Sequence, residues 1–502
     1  MNLKADFAII GGGIGGVTCA ETLSYLSPDT NIVLITASSL IKTVTNLVQV
    51  SERIESFDVE EKPKSYLEST LPNVQVIHAV VAILDSENHI LKTSDGTSVG
   101  YKKVCICTGG RPKVSGNVFR TYQTCIHWFL VIVEDNPFVL GIRDTESVQE
   151  FQKKLKNARR IIVIGNGGIA TELVYEVEGC EVIWAIKDKS ISSAFVDAGA
   201  AQFFLPCVNK EKTETKKTLK RHKYTEEDDV SRPKNVTGGA LGPDWSVNCD
   251  MVGNQQGSHK VHIEYSVEMV NIFKLDEIKT NGKKIENPSI FEQITDDWPV
   301  CVELTNGKIY GADFIVSATG VVPNSHQFSG NNNFEIGEDG GIKVNDKMET
   351  NVKDVFAAGD ICTASWIPAP HWIQMRLWSQ ARQMGCYAAK AMVASLSNED
   401  VTLDFCFELF THMTKFFNYK VILLGKFNGQ GLGEGQEILL RFTEGVEYVK
   451  AIIQDGHLQG AVLIGETDLE ETFENLILNK IDLTSFKEHL LDPNIDIEDF
   501  FD

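Results

Sequence analysis

The feature that most constrains this chain is a strand, a glycine-rich turn and a helix that occur twice in succession. Residues 6–10 (DFAII) form a short apolar run that continues directly into GGGIGG and a helical stretch, and the apolar run 31–36 (NIVLIT) follows. The same order recurs over 160–187, RIIVIGNGGIATELVYEVEGCEVIWAIK. This spacing is typical of a βαβ unit with parallel strands. Two such units predict an α/β fold with two Rossmann-like dinucleotide-binding domains.

The glycines of each turn have separate tasks. In the first turn Gly11 permits the tight turn, Gly13 lets a phosphate approach the backbone, and Gly16 lets the helix pack closely on the strand. The corresponding positions of the second turn are Gly165, Gly167 and Ala170. We therefore expect each pyrophosphate to bind at the N-terminus of the helix that follows.

Both units lack the acidic residue that ordinarily ends the second strand and holds the ribose hydroxyls. Thr36 stands at this position in the first unit, and Ile186 stands there in the second, with Lys187 just beyond. An acid at this position selects NAD, whereas a cation can meet the 2′-phosphate of NADP. The sequence therefore leaves NADPH open as the substrate, and Lys187 is either a nucleotide ligand or an ordinary surface lysine.

Two stretches fit neither unit. The polar tract 209–235 lacks apolar periodicity and is interpreted as a disordered insertion. Its centre, KKTLKRHK at 216–223, is either a nuclear-import or partner-docking patch or a solvated charged loop. The apolar stretch 115–135 is interpreted as a species-specific or splice-derived insertion that needs packing or a membrane surface to cover it.

Composition excludes several classes of protein. The 502 residues carry 47 Lys and Arg against 69 Asp and Glu, a net charge of −22, which disfavours non-specific binding to nucleic acid. The 11 cysteines show no disulfide-framework spacing, as expected in a reducing compartment. The densest apolar run, 125–133, is about half a bilayer span. With the first strand starting at Asp6, we expect no leader peptide, no membrane span and a location in the nucleus and cytoplasm.

The order of motifs resembles one family. GGGIGG, VCICTGGRP, VIGNGGIATE, FIVSATGVVPN and TNVKDVFAAGD follow one another as in the pyridine nucleotide-disulfide oxidoreductases, over about residues 5–395. The resemblance implies FAD and NAD(P)H as cofactors. It also implies a discontinuous FAD-binding domain (1–145 and 300–398), an inserted NAD(P)H-binding domain (146–299) and a C-terminal α+β domain (399–502).

The same resemblance assigns roles to single residues. Asp360, in AAGD, matches the aspartate that binds the flavin ribityl chain; the alternative is a turn aspartate that caps a helix. Glu172 matches an acidic position near the nicotinamide and flavin rings, and Lys42 a lysine near flavin N5. The two would form a pair that tunes the flavin, or else are ordinary surface charges. The further cofactor-binding candidates in these motifs are Thr108, Gly109, Gly320 and Gly359.

The departures from the family concern its thiols. Disulfide reductases carry a redox cysteine pair after the first βα unit, but residues 29–104 contain no cysteine, and His457 is followed by Leu458 where the family has a His-Pro motif. Cys105 and Cys107 are interpreted as buried structural thiols on one face of a strand, and Cys362 as a packing residue. Electrons are therefore expected to leave the flavin directly.

Three functions remain open at this point. The first is an NAD(P)H-dependent FAD oxidoreductase with an unknown small-molecule acceptor. The second is a nucleotide-sensing flavoprotein partner with slow turnover; the resemblance implies a link to a tRNA ligase complex that it would protect from oxidation. The third is an electron donor similar to ferredoxin reductases, against which the net charge of −22 argues mildly. A monomer and a homodimer are equally compatible with the sequence.

Overall fold

A computed structural model of the chain describes residues 2–113, 136–209, 239–246, 249–255, 259–280, 282–291, 297–330 and 332–493. The stretch 115–135 and all of 209–235 except Asn209 lie outside these residues, so the predictions about both insertions stay predictions. Among the helices described here, none is long and apolar enough to cross a membrane.

The described helices are α1 Ile14–Leu26, α2 Ser65–Thr70, α3 Thr145–Leu155, α4 Gly168–Glu176, α5 Ala198–Val208, α6 Leu275–Thr280, α7 Trp378–Ser397 and α8 Glu470–Leu478. The described strands, β1 to β26 in chain order, are Asn2–Ile10, Ile32–Thr36, Leu40–Gln49, Glu55–Pro63, Val74–His78, Val81–Asp85, Ile90–Thr93, Ser98–Ile106, Gly110–Pro112, Val139–Gly141, Arg160–Ile164, Glu181–Ala185, Lys260–Glu264, Met269–Phe273, Val300–Leu304, Ile309–Ala312, Phe314–Ser317, Val321–Pro323, Ile342–Val344, Val355–Ala357, Cys362–Ala364, Thr411–Phe416, Tyr419–Gly425, Glu437–Thr443, Glu447–Gln454 and His457–Ile464.

The first glycine motif follows β1, which lies inside a seven-stranded sheet. Six strands have the order β5-β2-β1-β8-β7-β6, and the seventh, β20, pairs with β8. The strands β5, β2, β1, β8 and β20 are parallel, and most of their apolar side chains are buried in one core because helices cover the sheet. Helix α7 packs on α1 so closely that a side chain at Gly385 would collide with the backbone of Gly15. This contact fixes α1, and with it the first glycine turn.

The second glycine motif follows β11, the central strand of a parallel five-stranded sheet of order β10-β17-β11-β12-β13. Helix α3 leads into it, and the Asp144 side chain caps that helix by accepting from the backbone N–H of Ser147. Beside this sheet lie the antiparallel strands β14-β15-β16. The predicted fold class, two Rossmann-like domains and a C-terminal α+β domain, is confirmed.

The structure corrects the predicted domain boundaries. Strands β10 and β17 both pair in the second sheet, which therefore starts before residue 146 and ends after residue 299. The first domain resumes at β18, which pairs with β9. The reason for the error is that parallel sheets join strands from distant parts of the chain, so local composition does not mark where one sheet ends.

The C-terminal domain is an antiparallel sheet of order β22-β23-β26-β25-β24 with α8 packed on it, as the alternating pattern predicts. It shares a core with the second domain, where Phe203 and Phe204 of α5 pack near Tyr419 of β23. The buried Lys450 donates to Asp197, whose other oxygen caps α5. The C-terminal domain is thereby held against the second nucleotide domain.

A buried ion pair joins two strands of the second sheet. Arg160 is 1% exposed, and its Nε donates to Glu181 Oε2 at 2.7 Å. Its guanidinium also lies over the rings of Trp298 and Phe291, with centroid distances of 4.6 and 4.8 Å. This arrangement keeps β11, which leads into the second glycine turn, in register with β12.

Replacing Arg160 with Met leaves Glu181 buried without its cation. Breaking a buried pair from one side costs about 3–5 kcal/mol, so Arg160→Met is expected to lower the melting temperature by roughly 6 °C or more. Differential scanning calorimetry measures this, and adding Glu181→Leu is expected to restore part of the loss. An unchanged melting temperature in the single variant would show that the pair contributes nothing.

Candidate nucleotide-binding site

A cavity of about 880 Å³ lies between the two parallel sheets and reaches both glycine turns. The candidate residues from the sequence that line it are Gly11, Gly13, Thr36, Thr108, Gly109, Gly165, Gly167, Glu172, Lys187, Gly320, Gly359 and Asp360. Gly16 and Ala170 lie behind this wall, where both are buried. The fold therefore brings the two predicted nucleotide sites into one continuous space.

The first turn has the geometry predicted for it. Gly11 has a φ of +123°, and a side chain there would collide with the carbonyl oxygen of Cys107. A side chain at Gly16 would collide with the carbonyl of Gly11, so α1 packs directly on the turn. Gly13 is the N-cap of α1 and provides no side-chain hydrogen bond, which leaves the first amides of the helix to a ligand.

The second turn repeats this arrangement. Gly165 has a φ of +133°, and a side chain there would collide with the carbonyl oxygen of Ala318. Gly167 is the N-cap of α4, again without a side-chain cap, and a Cβ placed on it meets no atom within 4 Å. The open space at Gly167 and the uncapped amides of α4 fit a phosphate.

Asp360 follows β20 and lines the cavity together with Arg143, which the sequence did not single out. Arg143 Nη2 lies 2.8 Å from Asp360 Oδ2, and Arg143 Nε donates to the carbonyl of Gly110 at 2.6 Å. Next to them, the buried hydroxyl of Thr108 has no hydrogen-bond partner among the described residues. An ion pair beside an unsatisfied hydroxyl fits a polar ligand such as the flavin chain, so the residues present are compatible with FAD.

Thr36 and Ile186, which stand where an acidic residue ordinarily ends the second strand of each unit, have different surroundings. The Thr36 hydroxyl bonds the backbone of Ser38, and the Ser38 hydroxyl donates to Glu146 Oε1 at 3.0 Å. Glu146 lies in the first turn of α3, far along the chain, so sequence spacing gave no signal for it. In the first unit the carboxylate near the strand end therefore comes from another element.

In the second unit Ile186 is fully buried in the core. Lys187 lines the cavity together with Asp188, which the sequence analysis missed although it lies within KDK. Asp188 accepts a hydrogen bond of 2.9 Å from the side chain of Asn166. A cation and a carboxylate thus stand side by side where the ribose would be recognised.

The predicted Lys42–Glu172 pair is wrong. Lys42 lies on β3 directly opposite Glu61 of β4, and its Nζ is 2.6 Å from Glu61 Oε1 and 2.7 Å from the hydroxyl of Thr145. Lys42 is buried, and it lies outside the cavity wall. The reason for the error is the β3–β4 hairpin, which supplies an acidic partner directly across the strands.

Glu172 does lie in the cavity wall, one turn into α4. Its carboxylate accepts a hydrogen bond from the indole nitrogen of Trp245. Burial raises the pKa of Glu172 to about 8; the bond from Trp245 lowers it, while Asp244 and Glu176 raise it further. At pH 7 the Glu172 carboxyl is therefore neutral in most protein molecules, and it becomes an anion as the pH rises through about 8.

Residues 239–246, here named the crossing segment, run over the cavity from one domain to the other. Gly239 packs beside Gly13, and the backbone N–H of Leu241 donates to the carbonyl of Arg143 at 2.9 Å. Asp244 lies 3.2 Å from Lys415 of the C-terminal sheet, and Trp245 reaches Glu172. One short segment therefore touches the first turn, the second unit and the C-terminal domain.

The thiols near the cavity are buried, as predicted. Cys105 of β8 and Cys107, which follows the end of that strand, have their sulfurs 3.5 Å apart. Hydrogen bonds with Cys107 and Cys19, together with burial, raise the pKa of Cys105 well above its usual range. Burial raises the pKa of Cys362 to about 12. Among the described residues, no group of three or more His, Cys, Asp or Glu side chains is arranged to hold a metal ion.

Replacing Gly167 with Ala tests the second turn. The new methyl group meets no protein atom within 4 Å, so FAD content and melting temperature are expected to stay unchanged. It fills space that a phosphate needs, and the Kd of NADH, measured by calorimetry, is expected to rise at least about fivefold. Gly330→Ala, equally unhindered but outside the cavity wall, is the matched control. Equal affinities in both variants would contradict nucleotide binding at this turn.

Comparison with known proteins gives two family matches and several similar full-length chains. The pyridine nucleotide-disulphide oxidoreductase family matches residues 5–252 and 256–385, and the C-terminal domain of rubredoxin NAD+ reductase matches residues 411–481. The pyridine nucleotide-disulfide oxidoreductase domain-containing protein 1 of Homo sapiens is 54% identical over 506 residues, covering 99% of this chain and 98% of the relative. The protein of that name from Drosophila melanogaster is 43% identical, with 100% of each chain covered.

Solved structures share the fold at low identity. Fdr9 gives a TM-score of 0.61 at 16% identity and covers 98% of each chain. The putidaredoxin reductase–putidaredoxin complex gives a TM-score of 0.58 at 16% identity, over 94% of this chain and 91% of the other. The predicted cofactors, FAD and NAD(P)H, are confirmed. The chain belongs to the pyridine nucleotide-disulfide oxidoreductase family and is an NAD(P)H oxidoreductase.

Proposed function

We propose that this protein oxidises NAD(P)H and passes electrons from FAD directly to an acceptor other than a disulfide in its own chain. The observation that carries the proposal is the single cavity that joins both glycine turns. Cys107 is the cysteine among the described residues that lines it, and the nearby Cys105 is buried with a raised pKa. A buried, protonated thiol is a poor nucleophile, which supports transfer without a dithiol relay.

The chain's own residues bind and orient the two cofactors. When bound, FAD would accept a hydride from NAD(P)H and deliver electrons onward. The amides at the start of α1 and α4 would hold the two pyrophosphates. Asp360, fixed by Arg143, would take the ribityl hydroxyls, and the Thr108 hydroxyl, which has no partner among the described residues, would provide a further hydrogen bond. Holding both rings in one cavity supplies proximity, and no side-chain nucleophile is required.

The acceptor and the cellular role belong to the same proposal. We extend it to the protection of a tRNA ligase complex from oxidation, in the nucleus and the cytoplasm. The support is family resemblance together with the 54% identity to the human relative. On this proposal the protein binds a macromolecular partner and reacts slowly with small acceptors. Co-purification from cells without ligase subunits would contradict it.

A second candidate is an electron donor for an iron–sulfur protein. The match of residues 411–481 to the rubredoxin NAD+ reductase C-terminal domain favours it, as does the similar fold of a putidaredoxin reductase bound to putidaredoxin. The net charge of −22 disfavours docking with an acidic ferredoxin. Reduction of a ferredoxin or rubredoxin faster than of a quinone would support this candidate.

Anaerobic stopped-flow mixing of the FAD-loaded protein with NADH or NADPH tests the proposal. Either nucleotide is expected to bleach the flavin absorbance, because both turns open into one cavity. Oxygen is then admitted: fast recovery of the absorbance would identify a reductase for small acceptors, whereas slow recovery would support the protective role. A flavin that neither nucleotide bleaches would contradict the proposed function.

Removing the thiols tests the direct route of the electrons. The double variant Cys105→Ser, Cys107→Ser is expected to reduce a dye with NADH at a rate within about twofold of the wild type, since neither thiol takes part. The readout is kcat with the flavin content as the control. Loss of dye reduction while NADH still bleaches the flavin would show that a thiol relays the electrons.

A further inference from the structure

Trp245 contacts the one carboxyl of α4 that lines the cavity beside the second glycine turn. Its indole Nε1 donates to Oε2 of Glu172, and both residues line the cavity. Trp245 does not belong to either nucleotide-binding unit. It reaches Glu172 only because the crossing segment passes over the junction of the domains.

The crossing segment is anchored on several sides of Trp245. The backbone of Leu241 bonds the carbonyl of Arg143, and Ala240 forms a bridge with Asp144, so this end is tied to the start of α3. Gly242 packs against Val59 of the β3–β4 hairpin. Asp244 lies 3.2 Å from Lys415 of β22. These contacts fix the position of the indole before any nucleotide is bound.

The charges that face Glu172 come from three elements. On the crossing segment Asp244 disfavours the Glu172 anion, while the Trp245 bond favours it; on α4 the nearby Glu176 disfavours it. On β22 Lys415 pairs with Asp244, and His412 is uncharged because burial lowers its pKa to about 3. The hydrogen bond from the Trp245 indole thus lowers the pKa of Glu172, against the increase that burial and the two like charges cause.

We propose that Trp245 is a positioning residue which sets the charge of Glu172, and thereby the preference of this cavity for oxidised over reduced nicotinamide. This inference rests on the proposed function, since it requires the nicotinamide to occupy the cavity. The oxidised nicotinamide ring carries a positive charge and the reduced ring carries none. An ionised Glu172 in the wall therefore stabilises bound NAD+ and leaves bound NADH nearly unaffected.

Calorimetric titration of the FAD-loaded protein with NAD+ from pH 6.5 to 9.5 tests the inference through binding, without turnover. The Kd of NAD+ is expected to fall roughly tenfold as Glu172 ionises near pH 8. The Kd of NADH, measured under anaerobic conditions after reduction of the flavin, is expected to stay flat. Glu172→Gln keeps an acceptor for the indole but cannot ionise, so its NAD+ affinity is expected to be independent of pH.

Two variants are expected to shift, in opposite directions, the pH at which the Kd of NAD+ falls. Trp245→Phe removes the donor that stabilises the anion, which raises the pH of the transition by about one unit. Asp244→Asn removes a like charge and lowers it. Trp366→Phe is the matched control, because Trp366 lies outside the cavity wall and its indole nitrogen has no hydrogen-bond partner among the described residues. A merely structural role would change stability in all variants without ordered shifts.

The outcomes separate this inference from the proposed function. If neither NAD+ nor NADH binds the wild type, the proposed function fails and the inference with it. If both nucleotides bind and NADH bleaches the flavin, a pH-independent Kd of NAD+ overturns the inference alone. Identical transitions in Trp245→Phe and Trp366→Phe would overturn it as well, and the Asp244→Asn shift remains as the test if Trp245→Phe does not fold.

Discussion

The nucleotide site depends on two helix N-termini that meet at one cavity without caps of their own. Helix α1 begins after Gly13 and α4 after Gly167, and neither helix has a capping side chain or an acidic residue in its first turn. Serine or aspartate at these N-cap positions would stabilise each helix by roughly a few tenths of a kcal/mol relative to glycine. The chain gives up this local stability, so the amides and the positive end of each helix dipole remain available to an anion. On the proposed function, a dinucleotide would supply that anion at each turn.

Contacts elsewhere in the fold hold the N-termini of α1 and α4 at the cavity. The close contact of Gly385 with Gly15 holds α1, and the pair of Lys450 and Asp197 holds the C-terminal sheet against the second domain. The crossing segment then spans the gap between the domains, with Gly239 at the first turn and Trp245 at Glu172. The first turn and the second unit therefore have this segment as a common neighbour.

The turns could be predicted from the sequence because their chemistry is local. Gly11 and Gly165 need a positive φ, and each stands within a few residues of the strand and helix that define it. The domain boundary near β17 and the partner of Lys42 could not be predicted, since both depend on strands that meet only in the folded sheet. Arg143 and Trp245 were missed for the same reason: they reach the site from a connecting loop and from beyond an insertion, and only the fold brings them to the cavity. Asp188 could have been predicted, since it directly follows Lys187.

The C-terminal domain contributes a wall to the cavity rather than acid–base chemistry. Thr414 and Phe416 of β22 line it together with Trp378, while His412 on the same strand is buried beside the Trp378 ring and stays uncharged at neutral pH. An imidazole with a pKa of about 3 cannot supply a proton to an acceptor at pH 7. Among the described groups, Glu172 is placed to change charge in the wall near neutral pH. The charge state of the cavity wall is therefore set from the second nucleotide domain and the crossing segment, while the C-terminal sheet contributes only uncharged side chains, Thr414 and Phe416, among the described residues.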